Sequence, residues 1–316
     1  MNEIPDTGIN DRWILSTRGR KNAVDPLRPY GWMVEKECTA SGKIEDTAII
    51  FLTNRECFFH CLMCDLWKNT TDESVPVGAI PDQIEWTLNQ IPAARHLKLY
   101  NSGSFFDGRA IHEEDYQRIA SLVGHFDTVL VESHPRLINE KCLIFRDMLK
   151  TELQVALGLE TVNREVLRKL NKRMTLEDFA NSVEFLTLHG ISSRAFILLR
   201  PPFLSESQGI YWAERSLDFA FRIGMECCAV IPVRPGNGAL DQLMKLELFS
   251  PPRIRSLEKV MEYGIGLKAG RVFADLWDIG RFSSCSACIG KRTARLTEMN
   301  LHQRVPEPVT CTCDPE

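Results

Sequence analysis

Eleven of the 316 residues are cysteine, and seven of these fall in three tight groups: Cys57, Cys61 and Cys64; Cys285 and Cys288; Cys311 and Cys313. An odd total fits a disulfide framework poorly, and clustered thiols in a reducing compartment read first as metal ligands. The first group has the spacing C-x3-C-x2-C. Three thiolates so spaced can reach three corners of an iron–sulfur cubane and leave the fourth iron without a protein ligand. A structural zinc would want four ligands, usually from two C-x2-C knuckles. His60 falls inside the three-residue gap, where its direction suits it poorly to be that fourth ligand. The other two pairs, with 22 residues between Cys288 and Cys311, offer four thiols. These could close a tetrahedral zinc site, hold a second iron–sulfur cluster, take a soft thiophile such as trivalent arsenic, or bind nothing. Cys227 and Cys228 are adjacent on an expected strand and face opposite ways, so they are assigned to the core.

The hydrophobic pattern predicts strands over 47–53, 96–101, 128–132, 153–159, 193–199, 227–233 and 271–277. They alternate with helices over 77–91, 113–125, 139–149, 175–189, 207–223 and 250–263. Such alternation implies βαβ units and a parallel sheet, and six or seven units imply a barrel or partial barrel. Residues 1–46 are expected to be an irregular extension packed on this core. Residues 47–278 form the partial (β/α)6-type barrel, and from 279 the pattern fades into a cysteine-bearing extension, 279–316. Parallel barrels place their sites in the loops after the strands. The cysteine loop, 101–106, 132–135, 158–161, 200–203 and 232–238 should therefore share one mouth. A basic run, Arg164, Arg168, Lys169, Lys172 and Arg173, reads as a solvated helix face.

A C-x3-C-x2-C loop directly after the first strand of such a barrel resembles the radical S-adenosylmethionine (SAM) superfamily. The resemblance implies a 4Fe-4S cluster on Cys57, Cys61 and Cys64, binding the amino and carboxylate groups of SAM at its open iron. Met63 departs from the aromatic residue often found before the last cysteine. The resemblance further implies that Asn101, Ser102, Gly103 and Ser104 approach the SAM amino group, and that Glu160, in Gly158-Leu159-Glu160-Thr161, binds the ribose hydroxyls. Glu132 and Gly158 join the cofactor contacts. His134 is a candidate proton donor, with a hydrogen-bonded scaffold role as the alternative; Arg200, in Leu199-Arg200-Pro201-Pro202-Phe203, is a second candidate catalytic residue. Within the superfamily the chain resembles the radical SAM subunit of archaeosine synthase and the radical SAM core of the Elongator catalytic subunit, over about residues 47–300. No acetyltransferase domain and no recognisable RNA-binding module accompany it.

Net charge is −4, from 38 basic and 42 acidic residues, which argues against a general nucleic-acid binder. No apolar run approaches the ~20 residues of a membrane span, and the first residues lack the pattern of a secretory leader, so a cytoplasmic protein is expected. The acidic charge and the missing RNA module favour a small-molecule substrate, and the resemblance implies a reducing partner such as flavodoxin or ferredoxin. The alternatives are modification of a tRNA 7-deazaguanine base, transfer of a 3-amino-3-carboxypropyl group from SAM to arsenite, and a non-catalytic iron–sulfur protein.

Overall fold

The computed structural model describes residues 8–313. Eight strands form one sheet in sequence order: β1 (Gly31–Cys38), β2 (Ile44–Phe51), β3 (His96–Tyr100), β4 (Thr128–Ser133), β5 (Glu152–Glu160), β6 (Ser192–Leu199), β7 (Cys227–Pro232) and β8 (Arg271–Ala274). From β2 to β8 every pairing is parallel, while β1 runs antiparallel to β2. The result is a curled half-barrel with helices outside, the α/β architecture the alternation predicts. The helices are α1 (Asp11–Thr17), α2 (Ala79–Leu88), α3 (Tyr116–Val123), α4 (Glu140–Met148), α5 (Arg164–Lys169), α6 (Leu176–Leu188), α7 (Glu206–Arg222), α8 (Ala239–Lys245), α9 (Ile254–Gly266) and α10 (Ile289–His302).

The period of two along each strand decides what the sheet buries. Ala48 and Ile50, Leu97 and Leu99, Val129 and Val131, Val155 and Leu157, Ala195 and Ile197, and Cys228 and Val230 join the large core cluster. The opposite face is mixed: Ile49, Leu130, Ala156 and Phe196 lie on it together with Lys98 and Arg194. Lys98 pairs with Glu35 at 3.0 Å and with Glu37, and Arg194 reaches Glu37 at 2.5 Å. Burial alone would raise the Glu37 carboxyl, but Arg194 and Lys98 overcome it and hold the group well below the usual carboxylate range. One face of the sheet is therefore hydrocarbon, and on the other, mixed face ion pairs tie β1 to β3 and β6.

Three expectations are corrected. Residues 1–46 are not irregular throughout, since α1 and β1 lie there; residues 1–7 fall outside the described chain. The helix expected under the basic run is only α5, which ends at Lys169 and leaves Lys172 and Arg173 in the following turn, and the short helix α8 was not expected. Beyond 279 the chain forms α10, which packs against β1, β8 and α9; of the extension, residues 314–316 lie outside the described chain. Two side-chain amides of α10 cover the exposed edge of β8. The Asn300 Oδ1 accepts from Ala274 N (2.8 Å) and its Nδ2 donates to Ala274 O (2.9 Å); Gln303 does the same for Val272 at 2.7 and 3.0 Å.

Candidate metal and cofactor site

The cysteine loop leaves β2 between two clamps. Leu52 N donates to Tyr100 O at 2.7 Å, and the Gln83 carboxamide binds both backbone groups of Thr53 at 2.8 Å. Further along, Glu56 pairs with Arg18 (2.5 Å) and Lys21 (2.8 Å). His60 turns to Asp11 at the start of α1 (2.9 Å) and is not aimed as a ligand. Asp11 also accepts from Asn171 (2.7 Å) and Arg173 (2.5 Å), and Asn171 donates to His60 O at 2.8 Å. From a third side, Asn237 donates to Leu62 O and Cys64 O. The loop is thus held by α1, by the α5–α6 turn and by the segment before α8.

Within that frame Cys61 is buried and Cys57 and Cys64 are half-buried. Burial pushes each of the three thiols up to about 12. Three thiols so desolvated become thiolates when a cationic centre compensates their charge. Among the described residues the set of ligand-type side chains drawn within 4.8 Å of one another is a different one, Cys285, Cys288, Cys311 and Cys313.

The next loop faces these thiols. A Cβ on Gly103 would lie 3.4 Å from Cys57 Cβ. Glu132, buried on the mixed face of β4, gathers the amides of this loop: Asn101 N donates to its Oε1 at 2.7 Å, and the Ser102 and Gly103 amides also bind it. Burial lifts its carboxyl to about 7 although those amides pull the other way. Asn101 is fully buried, and neither its Nδ2 nor its Oδ1 has a partner. An orphaned carboxamide beside the thiols is the kind of group that a polar ligand satisfies. Ser102 stands at φ 52 with its hydroxyl 3.1 Å from Tyr30 Oη.

At the end of β5 a bulge between Gly158 and Glu160 turns the chain, and Glu160 sits at φ 65. Its carboxylate pairs with Lys172 at 2.5 Å, both side chains buried. Lys172 is the functional-site residue that sequence reading missed: placed among solvated bases, it points inward. Burial works against its charge, but Glu160 and the thiols of Cys61 and Cys57 more than offset this and raise its ammonium. A Cβ on residue 158 would meet Glu160 Oε1 at 2.2 Å and Lys172 Nζ at 2.3 Å. Only glycine leaves room for the pair.

Four expected contacts become supports. Both ring nitrogens of His134 are engaged: Nδ1 accepts from Arg136 N (3.2 Å), so Nε2 carries the proton and donates to Lys172 O (2.9 Å). The ring stacks on Phe59 at 3.7 Å, and burial, with Lys172 nearby, lowers its pKa to about 3. A neutral imidazole with both nitrogens engaged fits the scaffold alternative. Arg200, at φ 53, pairs with Glu206 (2.5 Å) and donates to Pro251 O (2.8 Å), tying the loop after β6 in place. Ser104 Oγ accepts from His134 N at 2.9 Å. Glu132 braces the 101–103 loop as described.

No protein-family profile matches the chain. Among curated proteins it is 31% identical over 217 residues to archaeosine synthase subunit beta of Methanosarcina acetivorans, covering 64% of this chain and 60% of that protein. It is 26% identical over 195 residues to the protein of the same name from Thermococcus kodakarensis, covering 57% and 60%. An uncharacterized protein of Methanocaldococcus jannaschii aligns over 259 residues at 22% identity, 77% of this chain and 71% of that one. Among solved structures, Elp3 of Methanocaldococcus infernus aligns with a TM-score of 0.48 at 16% identity, covering 62% of this chain and 50% of that chain. Coproporphyrinogen III oxidase of Escherichia coli, a radical SAM enzyme, aligns at 0.45 and 15%, covering 83% and 57%. The chain spans about three fifths of each archaeosine synthase subunit it matches. It is a sequence relative of archaeosine synthase subunit beta, one of the proteins its motifs resemble.

Proposed function

We propose that this chain is a radical SAM enzyme whose 4Fe-4S cluster rests on Cys57, Cys61 and Cys64. The observation that carries the reading is the juxtaposition of three thiols on one braced loop with the unsatisfied carboxamide of Asn101. When bound, the cluster supplies the electron that breaks a C–S bond of SAM and so delivers a carbon radical to the substrate. The chain's own residues position and shield. Glu132 presents the 101–103 loop, where Asn101 and the backbone beside Gly103 would hold the polar end of SAM. Glu160, released in part from Lys172, would accept the ribose hydroxyls. Lys172 holds positive charge beside an anionic thiolate cage, and Phe59 stacked on His134 closes that side to water.

A small-molecule substrate is favoured over tRNA. Of the basic run, Arg164 pairs with Glu177, Lys169 with Glu165, Lys172 with Glu160 and Arg173 with Asp11, which leaves little uncompensated charge there for phosphates. The name of the archaeal relatives supports a second reading, a modified tRNA base. A flavodoxin- or ferredoxin-like protein would supply the electron.

Anaerobically reconstituted protein given dithionite and SAM should release methionine with 5′-deoxyadenosine or another SAM fragment. Cys57→Ala, Cys61→Ala and Cys64→Ala should each lose iron–sulfur absorbance or all turnover, since each removes one of three anchors. Release of neither product by wild type would mark a non-catalytic iron–sulfur protein, and full activity in any of the three variants would refute the assignment.

A further inference from the structure

The chain reverses around α10, so residues before and after the helix meet. Cys285 Sγ lies 3.8 Å from Cys311 Sγ, Cys288 Sγ lies 3.6 Å from Cys313 Sγ, and all four sulfurs fall within 4.8 Å of one another. A disulfide requires about 2.0 Å between sulfurs, so these are non-bonded contacts. Four thiolates on one ion at ~2.3 Å form a tetrahedron with edges of about 3.8 Å, which both distances match. A cubane would place each thiolate on a separate iron and spread the four further apart.

The returning segment is brought to this point by contacts that need no metal. Arg292 donates to Val309 O (3.2 Å), and Arg295 to Pro306 O (2.7 Å) and Glu307 O (2.8 Å). Both arginines are buried and anchored on α9: Arg292 on Glu258, and Arg295 on Glu262 at 2.8 Å. Arg292 Nε also points at Cys288 Sγ from 3.4 Å, a cationic donor suited to a thiolate carrying excess negative charge.

We propose that Cys285, Cys288, Cys311 and Cys313 bind a single tetrahedral zinc ion, which staples the chain after α10 to the turn that leads into it. Its role is structural: four protein ligands leave no open position for substrate, and α10 is the helix whose amides cover the β8 edge. The site is independent of the cluster loop and stands whether or not the chain cleaves SAM.

Metal analysis of the purified full chain tests this. One zinc per chain is expected, and it should persist when Cys57→Ala, Cys61→Ala and Cys64→Ala are combined, which removes the first cluster. Cys311→Ser with Cys313→Ser should lose the zinc, melt at a lower temperature and admit proteases between α9 and α10. If that variant does not accumulate, the combined Cys57, Cys61 and Cys64 variant is stripped with chelator and given cobalt(II). Uptake of one cobalt with the absorption of a tetrahedral thiolate complex supports the site. Iron in place of zinc in the cluster-free variant, stoichiometric arsenite with no zinc, a pair of disulfides, or four free thiols that take up neither zinc nor cobalt would each overturn it.

Discussion

Gly158→Ala is the sharpest perturbation of the site, because a single methyl group lands between two buried opposite charges. The new carbon would stand 2.2 Å from Glu160 Oε1 and 2.3 Å from Lys172 Nζ, over a full ångström inside ordinary contact. These atoms end flexible side chains, yet both are buried, so neither can swing into water. Glu160 is further constrained by its φ of 65 on the bulge. If the pair merely shifts, the cost is that of overpacking, ~1–3 kcal/mol. If the pair separates, each charge is left partly uncompensated and the cost rises to ~3–5 kcal/mol. At about 1.5 °C per kcal/mol for a chain of 316 residues, the melting temperature of the metal-free protein should fall by about 2–8 °C. The control is Gly103→Ala, whose Cβ meets Cys57 Cβ at an ordinary 3.4 Å and should melt close to wild type. Denaturation of both variants without iron or SAM separates folding from catalysis. A Gly158→Ala protein as stable as wild type would show that Glu160 and Lys172 do not meet as described.

Two other perturbations test the scaffold. The folded-state pKa of His134, about 3, lies below its ordinary ~6.5. Below that ordinary value the unfolded chain binds a proton that the folded chain refuses. Its contribution to stability is therefore complete above pH ~6.5 and declines by up to ~1.4 kcal/mol per pH unit toward pH 3. Urea unfolding of wild type and His134→Gln between pH 7.5 and 5 should show a shallower acid slope in the variant; parallel slopes would mean that the imidazole titrates freely. Gly238→Ala, at φ 88, would set a Cβ 2.1 Å from the backbone carbonyl oxygen of Thr17. It should displace α1 and lower stability by ~1–3 kcal/mol, whereas Gly236→Ala, at φ 114 but facing open space, should cost less in the same melting experiment.

The parts of this molecule that were legible in its sequence are those governed by short-range rules. Seven strands follow from β-period runs, and the start of α6 from Thr175, whose side chain caps the helix; α7, expected from 207, starts at Glu206 with Ser205 as its cap. Cys57, Cys61 and Cys64 were readable because their chemistry is expressed in local spacing. What escaped depends on distant partners. β1 alternates exposed and half-buried residues, and Glu35 and Glu37 acquire meaning only through Lys98 and Arg194, more than sixty positions away. Lys172 looks like its solvated neighbours until the bulge at Gly158 brings Glu160 under it. His134 was readable as reactive because imidazole usually is; its neutrality comes from burial and from the charge of Lys172, which no local pattern specifies. The helix α10 was hidden because its apolar residues are few, and its buried positions include Arg292 and Arg295.

The two amides that α10 lends to β8 have a consequence for the whole chain. A sheet that does not close keeps adhesive margins, rows of N–H and C=O groups ready to take up any passing strand. Asn300 and Gln303 occupy that margin at Ala274 and Val272 with the donor and acceptor pattern a neighbouring strand would offer. They act as a counterfeit ninth strand carried on a helix. The half-barrel thus obtains a covered border at β8, and the cover rests on a helix held by α9 as well as by β1 and β8. A chain shortened before residue 289 would lose more than a helix: it would gain an uncovered edge, and with it a tendency to join other copies of itself.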